Sequence, residues 1–325
     1  GYENNNSQWD CWVHGGAGDD AVQYRLPGYE TDELANLLIA YLKEQGDGDY
    51  ESDPSPFFAV LSVQPPHDPY VAPEEWMRRH TPGALQLRPN VPEIPRVVEQ
   101  ARRELAGYYA MIENLDWNLG RIRTALDETG LAHNTHIIFF SDHGDYAGDY
   151  GLVEKWPSGV EDVLTRVPLI VRTPGGEAGH VVDTPVELFD VMATVLDLAG
   201  IEAEHDHFAY SLKPQLAGEG GDPDRAVFTE GGYARHEPHC FEGDPGRDQF
   251  ARNKYHIYYP KGQVQQQFPD SVGRTVAIRT LDYKLVYRPT GVNELYEMTS
   301  DPHELDNRYD DSALADIQGQ LEKQI

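Results

Sequence analysis

Hydrophobic positions along the chain follow two periods, and the switches between them lay out the elements. After Thr31, the residues Leu34, Leu37, Leu38, Tyr41 and Leu42 recur at helical spacing, and Thr31-Asp32-Glu33-Leu34 reads as a near capping box. A longer stripe of Leu105, Tyr108, Ile112, Leu115, Leu119, Ile122 and Leu126 predicts a helix from about 97 to 129, ended by Gly130. Leu188, Val191, Met192, Val195 and Leu196 predict a third helix over 184–199, opened by Thr184-Pro185 and closed by Gly200. Between the helices lie short continuous apolar runs: PFFAVLSV at 56–63, THIIFF at 135–140 and VPLIVR at 167–172. These read as strands covered on both faces, and Ala226 to Thr229 as a further short one.

Strand, long helix and strand in succession imply a right-handed parallel unit. From about Gly231 the pattern changes. TVAIRT (275–280) and YKLVYR (283–288) alternate around Leu281-Asp282 as an antiparallel hairpin, residues 293–298 resemble a third strand, and residues 312–325 a closing helix. The expected organisation is a mostly parallel α/β domain over 1–230 and a smaller antiparallel α+β domain over 231–325.

Charge narrows the function. The 325 residues hold 55 Asp and Glu against 26 Lys and Arg, a formal net charge of −29. Such a surface repels nucleic acid and anionic membranes, so neither is expected as a partner. A site for an anionic substrate must then carry local positive charge. Two cysteines, Cys11 and Cys240, are too few for a disulfide framework. No apolar run reaches membrane-spanning length and no signal peptide is visible. The opening GYENNN carries no strand pattern, and the chain is expected to be the later part of a longer protein; its compartment stays open.

Candidate chemistry sits where apolar runs empty into polar loops, the place where open α/β sheets collect ligands. The run at 135–140 ends in Ser141-Asp142-His143-Gly144, offering a hard oxygen and a borderline nitrogen to a divalent metal, and Lys155 follows as a cation for an anionic group. A helix cap in a solvated loop is the alternative. The run at 56–63 ends in Gln64-Pro65-Pro66-His67-Asp68-Pro69-Tyr70, where three prolines predict a stiff, extended backbone around His67; a hydrogen-bonded surface histidine is the alternative. YARHEPHCFEGD (233–244) gathers His236, Glu237, His239, Cys240 and Glu242 without the paired spacings of a zinc motif; from its residues it reads as a metal site or plain surface. Arg274, Arg279 and Arg288 read as surface ion-pairing groups, and Asp145, Asp149 and Asp162 as loop and cap residues.

Four strings in order, PFFAVLSVQPPHDPY, IIFFSDHGDYAGDYGLVEKW, RVPLIVRTPG and ELYEMTSDPHELDN, resemble the sulfatase family of the alkaline-phosphatase superfamily. The resemblance implies an alkaline-phosphatase-like α/β fold. It further implies Asp142 and His143 as ligands of a divalent metal (Ca2+ first, Mg2+ or Mn2+ otherwise), Lys155 on a sulfate oxygen and His67 on the sulfate or its leaving oxygen. His239 is expected on the substrate side of the C-terminal domain. The family's two N-terminal metal-binding aspartates, its C/S-x-P-S-R string that yields the formylglycine nucleophile and its G-K-x-H-x-G string have no counterpart in the 325 residues. The chain therefore resembles the C-terminal portion of a sulfatase acting on a small-molecule or carbohydrate sulfate ester. It is expected to be inactive alone and completed by an N-terminal segment or a separate chain. A phosphonate monoester or phosphodiester hydrolase, or a non-catalytic anion-binding remnant, are the other readings.

Overall fold

A computed structural model describes residues 7–16, 21–46, 56–234, 237, 253–254 and 259–325. The chain divides into two compact units. The first comprises Gly1–Ile138, Asp145–Glu154 and Arg172–Pro174; the second comprises Phe139–Gly144, Lys155–Val171 and Gly175–Ile325.

In the first unit, β1 (Trp12–Gly15) and β2 (Val22–Arg25) pair antiparallel, with Trp12 opposite Arg25 and Gly15 opposite Val22. Helix α1 (Glu30–Gly46) follows. It begins a residue before the expected cap, so Thr31 lies inside its first turn. Its buried stripe is Leu34, Ala35 and Leu42, while Leu37 is exposed. The small Ala35 allows a close approach, and the face turns toward it. After the single turn α2 (Glu74–Met77), α3 runs from Pro95 to Glu128 over 34 residues. Proline suits the first turn of α3, where no intrahelical N–H bond is lost. Leu126 and Ile122 pack with Ala35, Leu42 and Leu131. Higher on α3 the apolar stripe gives way to buried Asn114 and Asn118, whose amides both donate to Asp32 Oδ1 at 2.8 Å. Ile112, expected in the stripe, is exposed.

Residues 56–63 correct one expectation. They run without joining any ladder among the described residues. Phe57 and Leu61 pack on the α1–α3 core, and Leu61 and Val63 on the Cys11, Val13, Leu26 and Leu34 cluster. Phe58 and Val60 are 76% and 75% exposed. An apolar run predicts extended, core-seeking backbone, but a strand also needs a partner, and the described residues supply none.

Next come β3 (Ile137–Phe140), the turn α4 (Asp162–Thr165) and β4 (Leu169–Arg172), and β3 pairs with β4 in a two-stranded sheet. Neither strand is buried on both faces, since Phe140 and Ile170 are exposed. In the second unit, α5 (Asp190–Ala199) starts six residues later than its pattern suggests. The buried Asp190 explains the start: its carboxylate accepts from the Glu187 N–H at 2.9 Å and the Tyr210 N–H at 2.8 Å. Its charge is met by Arg225 at 2.7 Å. Gly200, at φ +68°, closes the helix as expected.

After α6 (Lys213–Leu216), β5 (Val227–Gly231) and α7 (Tyr259–Gln267) precede β6 (Thr275–Arg279), β7 (Tyr283–Tyr287) and β8 (Glu294–Glu297). The four strands form an antiparallel sheet in the order β5-β6-β7-β8. Cross-strand neighbours Ile278, Leu285 and Leu295 cover one face with Leu314 and Leu321, the latter on α8 (Ala315–Glu322). Ala277 and Val286 cover the other face with Val160.

Candidate functional site

The loop that carries His67 is pinned on several sides within the first unit. Its backbone folds as a turn rather than the extended run expected from its prolines: the His67 N–H donates to Gln64 O at 3.0 Å, around a cis Pro65–Pro66 bond. Gln64 N–H donates to the buried Glu30 Oε1 at 2.7 Å, and Gln8 Nε2 donates to His67 O at 3.0 Å. Helix α3 presses on the same loop through Gly107, where a Cβ would lie 1.9 Å from Tyr70 O. Only glycine allows that approach.

The His67 ring lies between two carboxylates. Nδ1 is 2.9 Å from Asp68 Oδ1 and 3.0 Å from the Asp68 carbonyl, and Nε2 is 3.4 Å from Glu154 Oε1. Two oxygens against Nδ1 require that it carry the proton. Nearby, the Tyr70 hydroxyl donates to Asp145 Oδ2 at 2.7 Å. Burial first, and then the Asp145 charge, push the Tyr70 phenol far above its ordinary range.

Glu154 reaches His67 because residues 145–154 fold back on themselves, with Tyr146 N–H on Glu154 O and Gly148 N–H on Leu152 O, both at 2.8 Å. Arg88 grips the loop through a two-point pair with the buried Asp149, at 2.9 and 2.7 Å. Ala147, Tyr150 and Glu154 take positive φ, at 45°, 54° and 60°. Non-glycine residues held there carry strain of about 1–3 kcal/mol each, the kind of cost that concentrates at functional loops.

Asp142 and His143 lie together in the second unit. Asp142 Oδ1 accepts the His143 N–H at 3.0 Å, and its Oδ2 is 3.6 Å from His143 Nε2. His143 Nδ1 donates to the Gly144 carbonyl at 2.8 Å, which leaves the Nε2 lone pair for a ligand. Gly144 docks on α4: its N–H donates to Leu164 O at 2.7 Å, and a Cβ would meet Val163 O at 2.0 Å. The Asp142 side chain is 85% exposed. A carboxylate oxygen and an imidazole nitrogen at this spacing fit two positions around one divalent ion, against the six to eight that calcium takes.

Lys155 is half-buried and follows Glu154 directly in the chain. Asp145, Asp149 and Asp162 are engaged in bonds to Tyr70, Arg88 and Lys284. Arg274 pairs with Glu237 and Arg288 with Glu294. His236, His239, Cys240 and Glu242 lie outside the described residues.

Sequence reasoning missed Asp68 and Glu154. Both adjoin residues it singled out, but the contact that gives them meaning joins positions 67 and 154 and leaves no local pattern.

Two family models match the chain. The sulfatase family model matches residues 2–201, and the model described as N-sulphoglucosamine sulphohydrolase, C-terminal, matches residues 243–325. The chain belongs to the sulfatase family. Among relatives of this sulfatase chain, the uncharacterized sulfatase YidJ of Escherichia coli (strain K12) is 28% identical over 307 residues, covering 89% of the chain and 53% of that protein. The chain thus spans about half the length of this relative. The crystal structure of yidJ from Bacteroides fragilis matches with a TM-score of 0.77 at 21% identity, over 99% of this chain and 63% of that one. The phosphonate monoester hydrolase of Agrobacterium radiobacter matches with a TM-score of 0.71 at 26% identity, over 91% of this chain and 61% of that one. The alkaline-phosphatase-like fold expected for this sulfatase chain is borne out by these neighbours.

Proposed function

We propose that this chain carries the metal-binding and leaving-group residues of a hydrolase of sulfate esters. Small-molecule or carbohydrate sulfates are its substrate class. The formylglycine nucleophile and the remaining metal carboxylates belong to a segment outside these 325 residues. The observation that carries this reading is the Asp142–His143 pair, with Oδ2 and Nε2 3.6 Å apart and the histidine tautomer fixed by Gly144 O.

In this reading Asp142 and His143 hold a divalent ion, calcium before magnesium or manganese. When bound, such an ion stabilises the charge that grows on peripheral sulfuryl oxygens. Lys155 places an ammonium on a sulfuryl oxygen, positive charge that a chain of net charge −29 must supply locally. His67 gives a proton from Nε2 to the departing oxygen, while Nδ1–H stays on Asp68 and fixes the ring. His239 is assigned to the substrate side of the C-terminal domain.

A phosphonate monoester or phosphodiester hydrolase is the second reading, favoured by the 26% identity to the Agrobacterium enzyme. The test uses the full-length protein on an aryl sulfate and a phenyl phosphonate in parallel. Sulfate turnover exceeding phosphonate turnover supports the leading reading, and the reverse order supports the second. In the same protein, Asp142→Asn is expected to lower kcat/KM at least 100-fold and to weaken calcium binding. Unchanged kinetics and calcium affinity in that variant would remove the role given to Asp142. The chain alone is expected to show no turnover above blank.

A further inference from the structure

His67, Asp68 and Glu154 are one histidine and two carboxylates whose ligand atoms all lie within 4.8 Å of one another. We infer that they form a binding site for a divalent transition metal such as zinc, with Nε2 of His67 and a Glu154 oxygen as first ligands and the Asp68 carboxylate as the third.

Three features of the geometry support it. First, Nε2 and Glu154 Oε1 are 3.4 Å apart. Two ligands held about 2.0–2.1 Å from one tetrahedral ion stand roughly 3.3 Å from each other, so the pair already has the spacing that zinc imposes. Second, the ring is oriented for it. Nδ1 faces the Asp68 carbonyl at 3.0 Å and donates to it, so a metal ion at this site takes the place of the proton on Nε2. A histidine ligand whose other nitrogen donates to a carbonyl is the usual outer-shell arrangement of a zinc site. The Asp68 carboxylate lies 2.9 Å from Nδ1, and the proposed site requires it to exchange that contact for the ion while the carbonyl keeps the ring oriented. Third, Glu154 is held in place. It is buried, at positive φ, and its carbonyl is tied to Tyr146 N–H. The Asp68 carboxylate is the group that binding must reorient. One nitrogen and two oxygens suit zinc or manganese over copper(I) or other thiophilic ions.

A consequence rests on the function proposed above. A metal on Nε2 occupies the atom that is to give its proton to the leaving oxygen, so zinc at this site would switch hydrolysis off.

The test is titration of the 1–325 chain with ZnCl2 by calorimetry and with CoCl2 by visible absorption, where tetrahedral cobalt gives intense bands. One equivalent is expected whose affinity falls at least tenfold in His67→Ala and in Glu154→Gln, and which survives in His143→Ala. Far-UV circular dichroism checks that each variant is folded, and the half-exposed His67 makes its variant the safer of the two. Absence of binding would overturn the site. So would an equivalent unchanged in both variants, or one lost with His143→Ala. If the full-length protein hydrolyses no sulfate while the chain keeps this equivalent, the functional reading fails and the metal site stands. If it does hydrolyse sulfate and zinc does not inhibit it, the switching role alone falls.

Discussion

Glu104 lies on the inner face of α3, buried, with Oε1 accepting from Gln100 at 2.7 Å and Oε2 without a hydrogen-bond partner. Desolvation is the largest influence on its carboxyl and raises its pKa; the Gln100 bond works against that shift, and the charge of Asp145 adds to it. The direction fixes the pH dependence. With the folded pKa above the unfolded one, the folded state binds the proton more tightly, so the stabilisation is fully present below the unfolded value. It is lost as pH rises from that value through the folded pKa, and is absent above it. Glu104→Gln removes the charge and keeps the acceptor for Gln100. It is expected to stabilise the protein at pH 8 by about 1 kcal/mol, the scale of penalty on a buried, poorly bonded group, and by less at pH 5. Urea denaturation at the two pH values measures this. Equal effects at both would show that Glu104 is not protonated on folding.

Between elements, Lys284 on β7 is buried and its ammonium meets Glu304 Oε1 at 2.6 Å and Asp162 Oδ1, on α4, at 3.0 Å. Glu304 also accepts the Asp162 N–H at 2.7 Å, which ties α4, the last strand pair and the 301–307 turn together. Removing one partner from such a cluster strands buried charge, so Lys284→Ala is expected to cost about 3–5 kcal/mol. Lys284→Met combined with Glu304→Gln is expected to recover more than half of that loss. A double-mutant cycle by chemical denaturation decides it, and additive effects would show that the ion pair contributes no coupling.

No residue pattern announces this lysine: on an alternating strand it reads as a solvated position. The same limit governed the rest of the fold. The α3 stripe and the β6–β7 hairpin were legible because period and turn are local properties. Residues 56–63 read as a strand because a mostly apolar run specifies extended, core-seeking backbone, whereas pairing depends on a neighbour elsewhere in the chain. Thr184 to Phe189 read as helix because the buried Asp190 that starts α5 owes its role to Tyr210 and Arg225. Among the candidate residues, Asp142 and His143 stood out as adjacent residues of ligand type, whereas Glu154, whose contact is with His67, did not.

For the whole molecule the decisive stretch is again 56–63. Its backbone N–H groups make no hydrogen bond to a described residue, and Phe58 and Val60 stand in solvent at 76% and 75% exposure. An unladdered apolar run of this kind is a template for another strand. Burying these two side chains would stabilise by roughly 1.5–3 kcal/mol each. The function proposed above requires a further segment carrying the nucleophile, and this run is where a strand of that segment would find both hydrogen bonds and an apolar seat. Amide hydrogen exchange distinguishes the two states of the run. In the 1–325 chain, the amides of residues 57–63 are expected to exchange within tenfold of unstructured peptide. In the full-length protein they are expected to slow at least 100-fold, because ladder amides open only with the unit that holds them. Equal, fast exchange in both proteins would place the nucleophile segment elsewhere. Equal, slow exchange would mean that the 1–325 chain already pairs this run, for instance with a second copy of itself, and a protection that grows with protein concentration would identify that case.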